Sequence, residues 1–217
     1  MIYSINKPIG WTSFDVVKKI KGITREKKVG HAGTLDPFAQ GVLIIGTGKD
    51  TKKLTNISSS TKSYEATLKL GKTTNTLDSE GEIINKLKVP TFDLSTVKKV
   101  LLSFKGEYLQ TPPMYSAKRV NGVRLYKLAR KNIEVERKPV NVVILDISLN
   151  NYKDNEIVFS VTCSKGTYIR VLGQDIAKKL GTIGYLNKLV RVKVGDYNLN
   201  TATSIKTFEE KWKSINR

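Results

Sequence analysis

The sequence predicts an α+β fold on a largely antiparallel sheet. Three observations carry this expectation. YEATLKLG (64–71) alternates with period two, placing Tyr64, Ala66, Leu68 and Leu70 on one face and Glu65, Thr67 and Lys69 on the other. NVVILDISL (141–149) and EIVFSVTCS (156–164) read as consecutive strands, with NNYKDN (150–155) as the turn between them. Strands therefore follow strands as often as helices follow them, unlike a regular βαβ succession.

The remaining elements follow in order. Thr12 and Ser13 are cap residues ahead of apolar positions Phe14, Val17 and Ile20, so a helix is expected with Gly22 as its stop. GVLIIGTG (41–48) is a short apolar run between glycines, the mark of a buried strand. Leu94, Val97, Leu101 and Phe104 have helical spacing. A further helix is expected over about 167–180, with Ile169, Leu172, Ile176 and Leu180 on its apolar face and Gly181 ending it. GYLNKLVRVKVGDY (184–197) returns to strand character, and the tail from Thr203 reads as one short helix. No internal repeat or low-complexity linker interrupts the chain.

Composition narrows the partners. The 217 residues suffice for one sizeable core. Lys and Arg number 38 against 19 Asp and Glu, a formal charge of +19 that favours a polyanionic partner. Membrane is the weaker choice, because no apolar run approaches the ~20 residues of a spanning helix. The N-terminus lacks the charged head and apolar stretch of a signal peptide, and a single cysteine, Cys163, suits a reducing cytoplasm. One cysteine and one histidine also argue against a zinc site.

Several apparent motifs fail. IIGTGKDT (44–51) lacks the first glycine and the hydroxyl residue of a P-loop. Asn56-Ile57-Ser58 is a glycosylation sequon only in a secreted protein. Ser-His-Asp catalysis would need His31 as base, yet no nucleophile elbow accompanies it.

Two segments remain. GHAGTLDPFAQGVL (30–43) holds the only histidine, His31, and one acid, Asp36, before a proline. An Asp-Pro pair suits a turn or cap equally well. Gly30, Gly33 and Gly41 would let this backbone approach a ligand closely, and basic surroundings would keep the carboxylate ionised, as a nucleophile requires. CSKGTYIR (163–170) marks a strand-to-helix turn that puts Arg170 in the first helical turn, where a cation opposes the helix dipole. Arg170 is there either exposed at small cost or facing an anion, for which Asp36 is the candidate. Tyr168 lies beside it. Tyr64 is a third candidate, or an ordinary core tyrosine.

At this level of detail the chain resembles the tRNA pseudouridine-55 synthases, the TruB family. The resemblance rests on GHAGTLDP (30–37) with Ala39 and GVL (41–43), on NKPIG (6–10) with Thr12-Ser13, on Thr51-Lys52, KSY (62–64), the 74–81 segment with Asp78, PPMYSA (112–117), SKGTYIR (164–170) and LVR (189–191). These follow in the family's order over nearly the whole chain. The resemblance implies the pseudouridine synthase fold: one catalytic domain with a mixed, largely antiparallel sheet flanked by helices, and an inserted RNA-gripping segment at about 109–138. It implies isomerisation of uridine 55 in the T loop of tRNA, by base flipping and without metal or organic cofactor.

Residue roles are implied in the same way. Asp36 is the catalytic aspartate, attacking ribose C1′ or base C6 or assisting elimination. Arg170 pairs with it, and Tyr64 stacks on the flipped uracil with a share in proton transfer. Tyr168 lines the pocket, Leu189 forms an apolar wall, Asp78 orders the site or the RNA, and His31 fills the space the flipped base leaves. Lys52 and Arg119 contact RNA. Arg119 stands where the family often has lysine, while Asn75 and Val190 replace residues that are commonly Asp and Arg. The chain is expected to lack the family's further C-terminal RNA-binding domain, to act as a cytoplasmic monomer on tRNA, and to use neither DNA nor membrane. The alternative is a non-catalytic RNA-binding or tRNA-folding chaperone on the same scaffold.

Overall fold

A computed structural model describes residues 1–120 and 122–215. In chain order the elements are β1 (Ile2–Lys7), α1 (Ser13–Thr24), β2 (Val29–Ala32), β3 (Gln40–Thr47), α2 (Leu54–Ser59), β4 (Lys62–Leu70), β5 (Lys72–Thr74), β6 (Ile83–Lys86), α3 (Leu94–Leu102) and β7 (Gly106–Gln110). They continue with β8 (Arg119–Val120), β9 (Val123–Arg124), α4 (Leu125–Ala129), β10 (Val140–Lys153), β11 (Glu156–Cys163), α5 (Ile169–Lys179), β12 (Gly184–Val194), β13 (Tyr197–Asn198), β14 (Thr203–Ser204) and α6 (Ile205–Ile215). The chain forms two compact units, one of Met1–Glu65 with the residues from Leu189 onward, the other of Ala66–Lys188. The class is α+β, as the sequence predicts. Among the described residues no helix is long and apolar enough to cross a membrane.

In the first unit the strands lie in the order β14-β1-β3-β12. β3 is antiparallel to β1 and β2 and parallel to β12. Its residues alternate between two cores. Leu43 and Ile45 join Ile5, Val16, Val17, Ile20 and Phe208 on one side, and Val42 and Ile44 join Ala32, Leu54 and Val194 on the other. Burial on both faces is why this strand reads as an unbroken apolar run. Each such side chain contributes about 1.5–3 kcal/mol on burial.

Helix α1 begins as predicted, with a capping box: Thr12 accepts from the Asp15 amide while Asp15 accepts from the Thr12 amide. It does not stop at Gly22. It runs to Thr24 and ends on Arg25, which takes the left-handed conformation (φ 56°) and donates its amide to Lys21 at 2.9 Å. Phe14 is also not a core residue. It is 70% exposed, and Val16 takes its place in the core beside Val17 and Ile20.

In the second unit the order is β4-β11-β10-β7. The predicted strand pair β10/β11 forms, but its turn is shorter than expected. Asp154 and Asn155 alone make it, both with positive φ (53° and 60°), which matches the right-handed twist of a hairpin and suits Asp and Asn. Thr67, expected on the polar face of β4, is 9% exposed. Asp93 caps α3 through the Thr96 amide at 2.8 Å, and Gly181 (φ 76°) follows α5 as expected. The small hairpins β5/β6 and β8/β9 and the short helices α2 and α4 carry too few periodic residues to be read from sequence.

Candidate active site

Asp36 lies in the first unit, on the loop between β2 and β3, half-buried. Buried polar side chains hold the backbone on both sides of it. The Ser13 hydroxyl accepts from the Leu35 amide at 2.8 Å and donates to the Leu35 carbonyl at 3.1 Å. Lys7, fully buried, donates to the Pro37 carbonyl at 3.3 Å and to those of Pro8 and Trp11. The Gly10 amide also donates to Pro37, at 2.9 Å, and the Ala39 amide closes a turn onto the Asp36 carbonyl. Arg191, 1% exposed, ties the start of the loop to β3 through the carbonyls of Gly33, Thr34 and Val42. The loop is thus held by groups outside itself and presents one carboxylate.

The loop glycines do a different job from the one expected. They face protein, not an open ligand space. A Cβ on Gly41 (φ 113°) would stand 2.3 Å from the Arg191 carbonyl oxygen, and on Gly30 it would meet Leu54 at 3.1 Å. The β3/β12 register forces this approach, since Gly41 lies opposite Arg191. Gly41→Ala is therefore expected to lower stability by at least about 2 kcal/mol, from clash and backbone strain together. Urea unfolding measures this; an unchanged midpoint would mean that β12 moves aside freely.

The other candidates of this unit are placed as follows. His31 sits on β2 opposite Ile45, with its Nδ1 buried and unpartnered. Burial, and then the neighbouring Arg191 cation, push its pKa down, which keeps it neutral near pH 7. Tyr64 on β4 and Leu189 on β12 are both buried, at 7% and 5% exposure. Lys52 is exposed on the 3-10 turn Gly48–Lys53.

In the second unit the structure brings Arg170 and Asp78 together. Both are buried, and Arg170 Nε stands 3.5 Å from Asp78 Oδ2. The guanidinium fork also donates to the carbonyls of Thr76 (2.7 Å) and Tyr115 (2.8 Å), which joins the start of α5 to two separate loops. Asp78 accepts further from the Thr76 hydroxyl at 2.6 Å and the Glu80 amide at 3.1 Å. The dipole cost of a cation in the first turn of α5 is met by these partners. Tyr168 caps α5, and its backbone amide and carbonyl are both gripped by the fully buried Gln110, at 2.7 and 3.1 Å. Arg119 is exposed on β8, opposite Arg124 on β9. Among the described residues no cluster of metal-ligating side chains occurs.

Sequence reasoning attached no part in the site to Lys7, Arg191 or Gln110, and reads Ser13 only as a helix cap. Lys7, Ser13 and Arg191 fall inside quoted motifs, but their hydrogen-bond partners lie far along the chain. A cation between two strand valines, Val190-Arg191-Val192, is a signal for Arg191, whereas Lys7, between Asn6 and Pro8, carries none.

Residues 21–169 match the TruB family pseudouridylate synthase (N terminal domain). Similar curated proteins include tRNA pseudouridine synthase B of Clostridium acetobutylicum, 46% identical over 96% of this chain and 72% of that protein. The protein of the same name from Ureaplasma urealyticum is 41% identical over 100% of this chain and 95% of its own length. Among solved structures, a chain of a Cbf5-Nop10-Gar1 complex superposes with a TM-score of 0.78 and 25% identity, covering all of this chain and 56% of that one. A chain of an H/ACA RNP bound to a substrate RNA containing 2′-deoxyuridine has the same fold, with a TM-score of 0.74 and 23% identity. This chain spans just over half the length of those two.

The fold is that of a pseudouridine synthase. Within that class the chain belongs to the TruB family.

Proposed function

We propose that this chain converts uridine 55 in the T loop of tRNA to pseudouridine, with Asp36 as the catalytic carboxylate. The class of reaction, isomerisation of a tRNA uridine, follows from family membership and from the relatives that carry that activity in their name. The observation that best supports Asp36 is its setting: a single carboxylate on a loop held by Lys7, Ser13 and Arg191, in a chain of charge +19. Binding a polyanion gives no reason to build so rigid a mount for an anion, whereas catalysis does.

In the reaction the N1–C1′ bond breaks, the base turns, and C5 bonds to C1′. The C5 proton leaves to solvent and N1 regains a proton. Asp36 enters by attack on C1′, by attack on C6, or by assisting elimination. On this reading Arg170 orients Asp36, and Asp78 in turn fixes the Arg170 fork. Tyr64 stacks on the uracil and shares in proton transfer, Tyr168 lines its pocket, and Leu189 gives an apolar wall. Neutral His31 fills the space left by the flipped base. Flipping costs a few kcal/mol, least for a base already in a loop. Tritium release from tRNA labelled at uridine C5 tests the reaction. No release from unmodified tRNA would leave a tRNA-folding chaperone as the reading to pursue.

Lys52 and Arg119 then supply phosphate contacts. Affinity for tRNA is expected to fall linearly with salt on logarithmic axes. Lys52→Ala or Arg119→Ala should each flatten that slope by about one. Filter binding across a salt series reads this directly, and an unchanged slope removes that residue from the interface.

A further inference from the structure

Arg191 is a buried cation with an unusual set of neighbours. It is 1% exposed, and among the described residues it makes no ion pair. Its guanidinium meets carbonyls only: Nε to Val42 at 2.7 Å, Nη1 to Thr34 at 3.3 Å and Nη2 to Gly33 at 3.0 Å. A buried charge of this kind is poor value for stability, since an apolar side chain of similar volume is often as good or better. The carbonyls are a selected set. Gly33 and Thr34 open the loop before Asp36, and Val42 lies in β3 just after it, so one planar fork ties the start of the loop to the strand that follows it. The main chain of Arg191 is fixed as well, lying opposite Gly41, where no Cβ fits. Ser13 and Lys7 hold the middle of the loop, at Leu35 and Pro37, from the N-terminal segment. Arg191 reaches both the start of the loop and β3.

We propose that Arg191 is a positioning residue for Asp36, acting through the loop backbone and not by contact with the uridine. The proposal rests on the reading of Asp36 as the catalytic carboxylate. Lysine keeps the charge but has no planar fork to span three carbonyls. Arg191→Lys should therefore fold and bind tRNA but leave the carboxylate free to wander. A misplacement of about 1 Å in such a group costs on the order of 100-fold in rate.

The test uses the full chain and C5-tritiated tRNA under single-turnover conditions. Arg191→Lys and Arg191→Ala are expected to lower the rate constant for release about 10- to 100-fold, with the tRNA dissociation constant within about twofold of wild type. Guanidinium ion added at millimolar concentration should recover part of the rate in Arg191→Ala and none in Asp36→Asn. Ile20→Val, which trims the core of the same unit, is the control for lost stability and should leave the rate constant unchanged. Arg191→Lys at the wild-type rate overturns the proposal. So does a rate that falls only in step with tRNA affinity or with thermal stability. If Arg191→Ala is too unstable to assay, Arg191→Lys carries the comparison by itself. Should Asp36→Asn retain activity, the reading of Asp36 has failed, and that outcome is distinct from failure of the Arg191 proposal.

Discussion

Asp36→Asn should abolish tritium release while leaving tRNA binding and thermal stability near wild type. The loss expected for removing a catalytic carboxylate is on the order of 10³-fold or more. Asparagine is nearly isosteric and keeps one acceptor oxygen, but it carries no charge and is a poor nucleophile. Folding should survive because these ties of the loop are to its backbone: Ser13 to Leu35, Lys7 to Pro37, Arg191 to Gly33, Thr34 and Val42. Single-turnover release and filter binding on the same preparation separate chemistry from affinity. Release within about tenfold of wild type would remove Asp36 from the chemistry. Absence of release in the wild type as well would turn attention to tRNA refolding.

The second large effect is on the buried pair of Arg170 and Asp78. Arg170→Met leaves a carboxylate that is 4% exposed without its cation, and strips the fork from the carbonyls of Thr76 and Tyr115. Breaking such a pair from one side costs about 3–5 kcal/mol. For a chain of this size that lowers Tm by roughly 10 °C. Asp78→Asn should cost less, because asparagine still accepts from Thr76 and Glu80. In the double variant the two losses should fall short of their sum by about 1–3 kcal/mol, since the stranded charge is gone. Thermal or urea unfolding of the four proteins completes the cycle. Simple additivity would show that the pair is not coupled and that Arg170 is held by its carbonyl partners alone.

Parts of this molecule are legible from local pattern. The apolar run at Val42–Ile45 between glycines reads as a buried strand, which the fold buries on both faces, and the alternation from Tyr64 to Leu70 reads as a sheet strand with one apolar face. Thr12 announces the start of α1 because a cap residue ahead of apolar positions is a local signal, and the folded chain completes it as a capping box with Asp15. Its end was misread because Gly22 is a good stop by residue type, whereas the helix ends where the chain next takes a left-handed turn, at Arg25. The β10/β11 turn was drawn too long for a similar reason. Polar residues 150–153 look like loop, yet Asn150 sits at a bulge and 151–153 continue the ladder beyond it.

The candidate site divides along the same line. Residue types and their order mark Asp36, Tyr64 and Arg170 as candidates, place Arg170 at the head of a helix, and assign the α+β class. Those are properties of short segments, decided by spacing, caps and periodicity. The partners of the buried polar groups needed the folded chain. Arg170 finds Thr76 across 94 residues, and Arg191 finds Thr34 across 157. Hydrogen bonds of that kind leave no local pattern, because a guanidinium is satisfied by whichever carbonyls the packing of distant segments brings within hydrogen-bond reach. For the same reason Gly41 looked like room for a ligand until the register of β12 against β3 showed a neighbouring main chain in that space.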